Sequence, residues 1–235
     1  MKKFGNIFLV ITAILLFSFI VNQKDKFVSY IVDVKNEKIV FYWKDSNGDN
    51  FSNFSKLKSY LEAKGQKLIF ATNGGMYKKD ASPQGLYIEN GEIKNELDTL
   101  EGNGNFYLMP NGVFYISNNK KAYIEETKRF QANKNILYAT QSGPMLVIDG
   151  EIHSTFKQDS RNRNIRNGVG ILPNGNVIFV MSKEEVNFYE FANYFKELRC
   201  KQALYLDGFV SRTYLPSKGW KQVDGNFGVI IGVSK

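Results

Sequence analysis

The sequence predicts an α+β fold: a strand-rich single domain with a mixed, mainly antiparallel sheet and a few helices, preceded by an N-terminal hydrophobic helix. Three observations carry the prediction. Four Asn-Gly or Asp-Gly pairs divide short apolar segments between residues 85 and 181, a pattern of tight hairpins. Only two amphipathic helical stretches occur beyond the N-terminus, and each runs into a short apolar strand ending in a polar residue plus glycine. Strands and helices do not alternate regularly, which argues against a parallel α/β sheet.

Lys2-Lys3 precede an apolar run from Ile7 to Val21 broken only by Thr12 and Ser18, the charged and apolar regions of a secretory signal. The run is apolar on every side, unlike the one-sided stripe of a buried helix. Phe19-Ile20-Val21-Asn22 offers bulky residues where signal peptidase requires small ones, and no cysteine stands there for a lipid anchor. Residues 1–26 are therefore expected to form a signal peptide or signal-anchor. The uncleaved anchor is favoured, with residues 4–21 in the membrane and the lysine end inside. Residues 27–235 then form one domain exported to the cell envelope or periplasm.

The 235 residues are 43% hydrophobic and 14% aromatic, enough for one sizeable core, and no low-complexity linker divides them. The net charge is +8; Lys2, Lys3, Lys24 and Lys26 against Asp25 give +3, so the remainder carries +5. That balance suits an anionic ligand, but the lysines are scattered rather than striped, which argues against nucleic acid. Cys200 is the sole cysteine, so no intramolecular disulfide forms. Its place between a helix and a strand reads as a buried structural thiol.

In chain order, Phe27–Val34 and Lys38–Trp43 are strands divided by Lys35-Asn36-Glu37. Ser52–Lys64 is a helix with Phe54, Leu57, Tyr60 and Leu61 on one face and Gly65 as its stop. Lys67–Thr72 is the strand that delivers Asn73. Hairpins follow about Asn90-Gly91 (Gly85–Glu89 with Glu92–Lys94) and Asn111-Gly112 (Phe106–Met109 with Val113–Ser117). Two more turn at Asp149-Gly150 (Met145–Ile148 with Glu151–His153) and Asn174-Gly175 (Gly168–Leu172 with Val177–Met181), pairs that tolerate positive φ. Asn187, with Glu190 three residues on, caps a helix whose buried stripe is Phe188, Phe191, Ala192, Phe195 and Leu198. Ala203–Leu206 is the strand ending at Asp207, and Val223–Val233 is the last strand.

Asn73 and Asp207 each end a strand beside glycine, where a rigid element presents a side chain at the rim of a sheet. Asp207 there fits a general base, a nucleophile or a metal ligand; it equally fits a turn aspartate bonded to its own backbone. Arg166, in Arg161-Asn-Arg-Asn-Ile-Arg-Asn-Gly168, precedes an apolar strand and is expected at a sheet edge, able to hold phosphate or carboxylate bidentately. The plain alternative is a solvated arginine. Gly74, Gly75 and Ser142-Gly143-Pro144 offer N–H groups and a hydroxyl to an oxyanion, or are ordinary turns. His153 is the only histidine, which excludes a multi-histidine metal centre; it either lines the pocket or caps the Asp149-Gly150 hairpin. No G-x-S-x-G, Walker, dinucleotide, EF-hand or cysteine-zinc pattern is present.

Six segments then occur in order: Ala71-Thr-Asn-Gly-Gly-Met-Tyr77, Ser82-Pro-Gln-Gly-Leu-Tyr87, Gly104-Asn-Phe-Tyr-Leu108, Ala139-Thr-Gln-Ser-Gly-Pro-Met-Leu-Val-Ile-Asp-Gly150, Ile165-Arg-Asn-Gly-Val-Gly170 and Ala203-Leu-Tyr-Leu-Asp-Gly208. Each alone is weak. As an ordered set, over roughly residues 65–235, the chain resembles the phosphodiester glycosidase domain family, which includes the mannose-6-phosphate uncovering enzyme and many exported bacterial proteins. The resemblance implies hydrolysis of the bond between a sugar's anomeric carbon and a phosphodiester. It points to Asn73, Ser142, Gly143, Arg166, Asp207 and Ser211 as the matching site positions. Two departures stand out: Phe209 and Arg212 occupy places where the family carries small residues.

An ordinary glycosidase needs two carboxylates because a sugar alkoxide must be protonated as it leaves. Phosphate leaves without that help, so one carboxylate, a cation and N–H donors form a sufficient kit. The first expectation is thus an exported hydrolase of sugar-phosphodiester linkages, requiring no cofactor and acting on a phosphorylated carbohydrate or envelope polymer. The second is a non-catalytic binding module for phosphorylated envelope glycans, in which Phe209 blocks chemistry. The third is a metal-dependent phosphodiesterase with Asp207, Asp149 and Asp159 as oxygen ligands, the route by which calcium stays open.

Overall fold

The computed structural model describes residues 26–207 and 210–235. The expected N-terminal helix and signal segment lie outside the described residues, as do Gly208 and Phe209. Three sheets are present. The first runs β1 (Phe27–Val32), β12 (Val177–Ser182), β11 (Asn167–Ile171), β13 (Ala203–Tyr205), β9 (Met145–Ile148), β10 (Glu151–Ile152). The second runs β15 (Trp220–Lys221), β14 (Thr213–Leu215), β3 (Leu68–Asn73), β16 (Ile230–Ser234), β2 (Ile39–Tyr42). The third runs β5 (Glu92–Asn95), β4 (Tyr87–Glu89), β8 (Ile136–Ser142), β6 (Gly112–Ser117), β7 (Ala122–Glu126). All pairings among the described strands are antiparallel, so three antiparallel sheets stand where a mixed one was expected.

The inner faces of the three sheets share one core. Phe41 and Phe70 of the second sheet, Phe114 of the third and Phe179 of the first meet there. Ring centroids are 5.7 Å apart for Phe41–Phe114, 5.1 Å for Phe70–Phe179 and 5.9 Å for Phe114–Phe179. Each such ring contributes roughly 1.5–3 kcal/mol by leaving water. Strand β12 shows why its sequence is apolar throughout. Val177, Phe179 and Met181 face this core, while Ile178 and Val180 face the opposite way, into the layer beneath helix α2 (Phe188–Glu197).

Helix α2 starts where the sequence predicts. Asn187 accepts from Glu190 N at 2.9 Å, and Glu190 returns a bond to Asn187 N at 3.0 Å, a complete capping box. Phe188, Phe191, Ala192 and Phe195 are buried and Leu198 partly so. Helix α1 (Phe54–Ala63), capped by Asn53, lays Phe54, Leu57 and Leu61 on the outer face of the second sheet, with Tyr60 half-buried. Each helix therefore leads into a strand that delivers a site residue, α1 into β3 and α2 into β13.

The turns divide by whether positive φ is used. Asn90-Gly91 (φ 52° and 82°) and Asp149-Gly150 (49° and 89°) adopt it, and at Asn174-Gly175 only the glycine does (85°); all three form the expected hairpins. Asn111-Gly112 is a correction. Neither residue has positive φ, Asn111 is buried with its Nδ2 donating to Phe106 O at 2.9 Å, and Gly112 opens β6. Residues 105–107 form a short 3-10 turn, not a strand. The hairpin partner of β6 is β7, through residues 118–121 with Lys120 at φ 58°. The last strand is also shorter than predicted, Ile230–Ser234 rather than Val223–Val233.

Candidate functional site

Asn73 and Asp207 lie at the ends of strands in different sheets, and a third residue joins them. Asn167 opens β11, beside β13, and is wholly buried. Its Nδ2 donates to Thr72 Oγ1 at 3.0 Å, Asn73 O at 2.9 Å and Asn73 Oδ1 at 3.1 Å; its Oδ1 accepts from Asp207 N at 3.0 Å. Its backbone carbonyl accepts from Leu206 N at 3.1 Å. Ser211 is tied to Asp207, its Oγ donating to Asp207 O at 2.6 Å. Sequence reading passed over Asn167. Its signal was present, in Arg166-Asn167-Gly168 at the mouth of an apolar strand, but three asparagines crowd that region.

The orientation of the Asn73 amide follows from its partners. Oδ1 accepts from both Arg212 N at 2.9 Å and Asn167 Nδ2 at 3.1 Å, so the other terminus is the donor. That Nδ2 is buried without a hydrogen-bond partner among the described residues, a condition that costs about 1–3 kcal/mol. Asp207 is 7% exposed, and its charge reaches two phenols. Burial raises Tyr77 and Tyr205 above the usual tyrosine range, and the nearby Asp207 raises both further.

Arg166 differs from its expected setting. It is fully buried and leads into β11, an inner strand between β12 and β13, rather than a sheet edge. Its Nε donates to Val186 O at 2.9 Å, Nη1 to the Tyr205 hydroxyl at 3.3 Å, and Nη2 to Asn162 O at 2.9 Å. The Phe188 ring covers one guanidinium face at 3.7 Å. Burial lowers its pKa, and among the described residues its partners are uncharged. A phosphate would have to displace these groups to touch it. Arg166 instead connects towards Asp207 through Tyr205.

The remaining expected positions serve the framework. Ser142 is buried and donates to Leu206 O at 2.5 Å, tying β8 to the strand end that carries Asp207. Gly74 N donates to Val229 O at 2.8 Å, so that amide is already used. The glycines permit close approach. A Cβ at Gly75 would collide with Thr140 Oγ1 and lie 2.5 Å from Gln141 O, and one at Gly143 would lie 2.7 Å from Phe106 O. His153 packs on Phe156 at 4.7 Å; its Nε2 lies 3.0 Å from Met109 O and its Nδ1 accepts from Thr155 N at 3.2 Å. That describes a neutral ring with both nitrogens occupied, and burial lowers its pKa. Arg212 forks onto Asp224 with contacts of 3.0–3.1 Å. Asp149 accepts from Gln202 instead of joining Asp207, and no three His, Cys, Asp or Glu side chains converge among the described residues.

The site is thus one carboxylate and one unpaired amide donor, fixed to a common frame, with a guanidinium behind a phenol. Comparison with known proteins gives the chain's family. The chain is 38% identical over 188 residues, 80% of its length and 73% of the relative's, to the uncharacterized protein YigE of Escherichia coli K12. Its fold is similar to the zebrafish N-acetylglucosamine-1-phosphodiester alpha-N-acetylglucosaminidase catalytic domain auto-inhibited by pro-peptide. The TM-score is 0.58 at 14% identity, covering 88% of this chain and 83% of that one. A hypothetical protein from Synechocystis matches with a TM-score of 0.56 at 13% identity, over 88% of this chain and 59% of that one. Residues 66–229 match the phosphodiester glycosidase family, and the chain belongs to that family.

Proposed function

We propose that the protein is an exported hydrolase that cleaves a glycosyl-phosphodiester at the anomeric carbon. Family membership supports the reaction class, and the zebrafish neighbour's name supplies a substrate pattern, an N-acetylglucosamine joined through phosphate to a second alcohol. The observation that carries the reading is the Asn167 frame, which fixes Asp207 and leaves the Asn73 amide with an unused donor. In this reading Asp207 activates water, or attacks, at the anomeric carbon while the phosphomonoester departs with the bonding electrons. Phosphate leaves without a general acid, so a second carboxylate is not needed. Asn73 Nδ2 donates to a sugar or phosphate oxygen, and the ligand so supplies its missing acceptor. Arg166 is a positioning residue that holds Tyr205 and the 162–166 segment and adds positive charge at one remove. The leader of residues 1–26 directs or anchors the domain to the envelope, where phosphorylated glycans are the substrate class.

The test is turnover of the methyl diester of N-acetylglucosamine-1-phosphate in ¹⁸O-labelled water. Label is expected in the released sugar; label in the phosphate would make the protein a phosphodiesterase. Asp207→Asn is expected to lower turnover about 10²–10⁴-fold with folding intact. Binding without turnover by the unaltered protein would assign a glycan-binding module, and loss of turnover in chelator would assign the metal-dependent reaction.

A further inference from the structure

At the end of the molecule remote from Asp207 lies a cavity of about 280 Å³ between the β1–β2 turn, the β6–β7 turn and β8. Three registers set its position. Asn73 pairs with Ile230 whereas Ile39 pairs with Val233; Asn167 pairs with Met181 whereas Val32 pairs with Val177; Ser142 pairs with Gly112 whereas Ile136 pairs with Ser117. In every sheet the site lies at one strand end and the cavity at the other, roughly 10–20 Å away at ~3.4 Å per residue.

The floor of the cavity is apolar, built from Val34, Ile39, Ile116 and Leu137, and its rim carries Lys35, Lys38 and Lys120. None of the three lysines has a carboxylate within ion-pair distance among the described residues. The one acidic residue in the lining, Glu37, is already occupied: Tyr30 donates its hydroxyl to Oε1 at 2.5 Å, and Asp33 N lies 3.4 Å from Oε2. The rim thus carries three lysines against one carboxylate that is already hydrogen-bonded, with Lys120 Nζ donating only to the Lys35 carbonyl at 3.3 Å among the described residues; an apolar hollow with this net positive rim is complementary to a molecule with an apolar body and an anionic end. The volume equals that of about nine waters at ~30 Å³ each, the size of a short acyl chain.

We infer that this cavity is a second binding site, for a single-chain amphiphile bearing one phosphate or carboxylate group. The inference stands apart from the reaction proposed above, since neither Asp207 nor Asn73 takes part in it.

The probe is n-octyl phosphate, titrated into the ¹⁵N-labelled protein and followed by amide chemical shifts, with n-octanoate, n-octanol and inorganic phosphate alongside. Octyl phosphate and octanoate are expected to shift Val34, Ser117 and Leu137, leaving Asn73 and Asp207 in place. Octanol should bind about tenfold more weakly, and phosphate alone should leave these signals unmoved. Lys38→Ala and Lys120→Ala are each expected to weaken octyl phosphate about two- to fivefold, as exposed ion pairs do, and rising salt should weaken it further. A preference for octyl phosphate over octanoate, or the reverse, identifies the headgroup. Equal affinity for octanol, unchanged affinity in the double lysine variant, or shifts confined to the Asp207 end would overturn the inference.

Discussion

Asn167→Asp tests the frame on which the site is built, because it alters one atom group and leaves volume unchanged. In the native protein Nδ2 serves two acceptors on Asn73 and the Thr72 hydroxyl, while Oδ1 holds Asp207 N. The introduced carboxylate keeps the bond to Asp207 N but turns an oxygen towards Asn73 O and Asn73 Oδ1. Asn73 O then loses this donor, at about 1–3 kcal/mol, Asn73 Oδ1 keeps only its bond from Arg212 N at 2.9 Å, and a charge is buried near Asp207, so a loss of at least about 1–3 kcal/mol is expected. Against a typical total of about 5–15 kcal/mol this is large. The assay is guanidinium unfolding across pH. The carboxyl's folded pKa is raised by burial and by facing acceptors, since its protonated form can donate to Asn73 O. The penalty is therefore full at neutral pH and shrinks as pH falls through that raised value. A loss below about 1 kcal/mol at pH 7, or one independent of pH, would refute the claim that Asn167 donates across the two sheets.

Three further outcomes follow from the packing. Gly75→Ala should destabilise more than Gly74→Ala, because the first drives a Cβ against the backbone carbonyl of Gln141 and the second meets only side chains, those of Val229 and Ile231; paired thermal melts decide the order. Burial holds His153 neutral with a lowered pKa, so its contribution is present above about pH 6.5 and is lost as pH falls through the depressed folded value. His153→Gln should remove that part of the acid slope in unfolding free energy. The Cys200 thiol, buried and pushed up to about 12, should resist a thiol reagent in the native state and react fully on unfolding.

What was legible in the sequence was local. The capping box of Asn187 and Glu190 depends on residues three apart, and turns such as Asn90-Gly91 depend on the φ preference of adjacent residues. Asn111-Gly112 carries the same letters for another reason. Gly112 sits in a central strand where a Cβ would come 2.9 Å from Glu125 O, so glycine answers a packing demand that only the tertiary structure reveals. Strand β7, Ala122–Glu126, escaped notice because Glu125 and Glu126 mask its alternation, with Ala122 and Ile124 inward. The positions of Asp207 and Asn73 at strand ends were legible because a strand ending in a polar residue and glycine is itself a local pattern. The burial of Arg166 was not, since three arginines in one loop look alike until Val186, Tyr205 and Phe188 close around one of them.

One feature of the burial distinguishes the two ends of the sheets without reference to any relative. Thr72, Asn73, Ser142, Arg166, Asn167, Ser182, Asp207, Ser211 and Thr213 are all buried polar residues, and they gather at one end of the sheets. Ser182 binds Arg166 in both directions, through Ser182 N to Arg166 O at 2.8 Å and Arg166 N to Ser182 Oγ at 2.9 Å, while Thr213 pairs with Thr72. The opposite ends of the same strands carry Val32, Leu68, Ile136, Val177 and Val233. Stability alone gives no cause for this asymmetry, because apolar residues would fill the space without desolvating amides, hydroxyls and a guanidinium. Local rules of core composition are broken where a site must be held rigid, and the network here spends its bonds on fixing one carboxylate and orienting one amide. The orientation leaves the Asn73 Nδ2 donor without a partner among the described residues, inside a network whose other members are bonded, and a bound acceptor as proposed above would complete it.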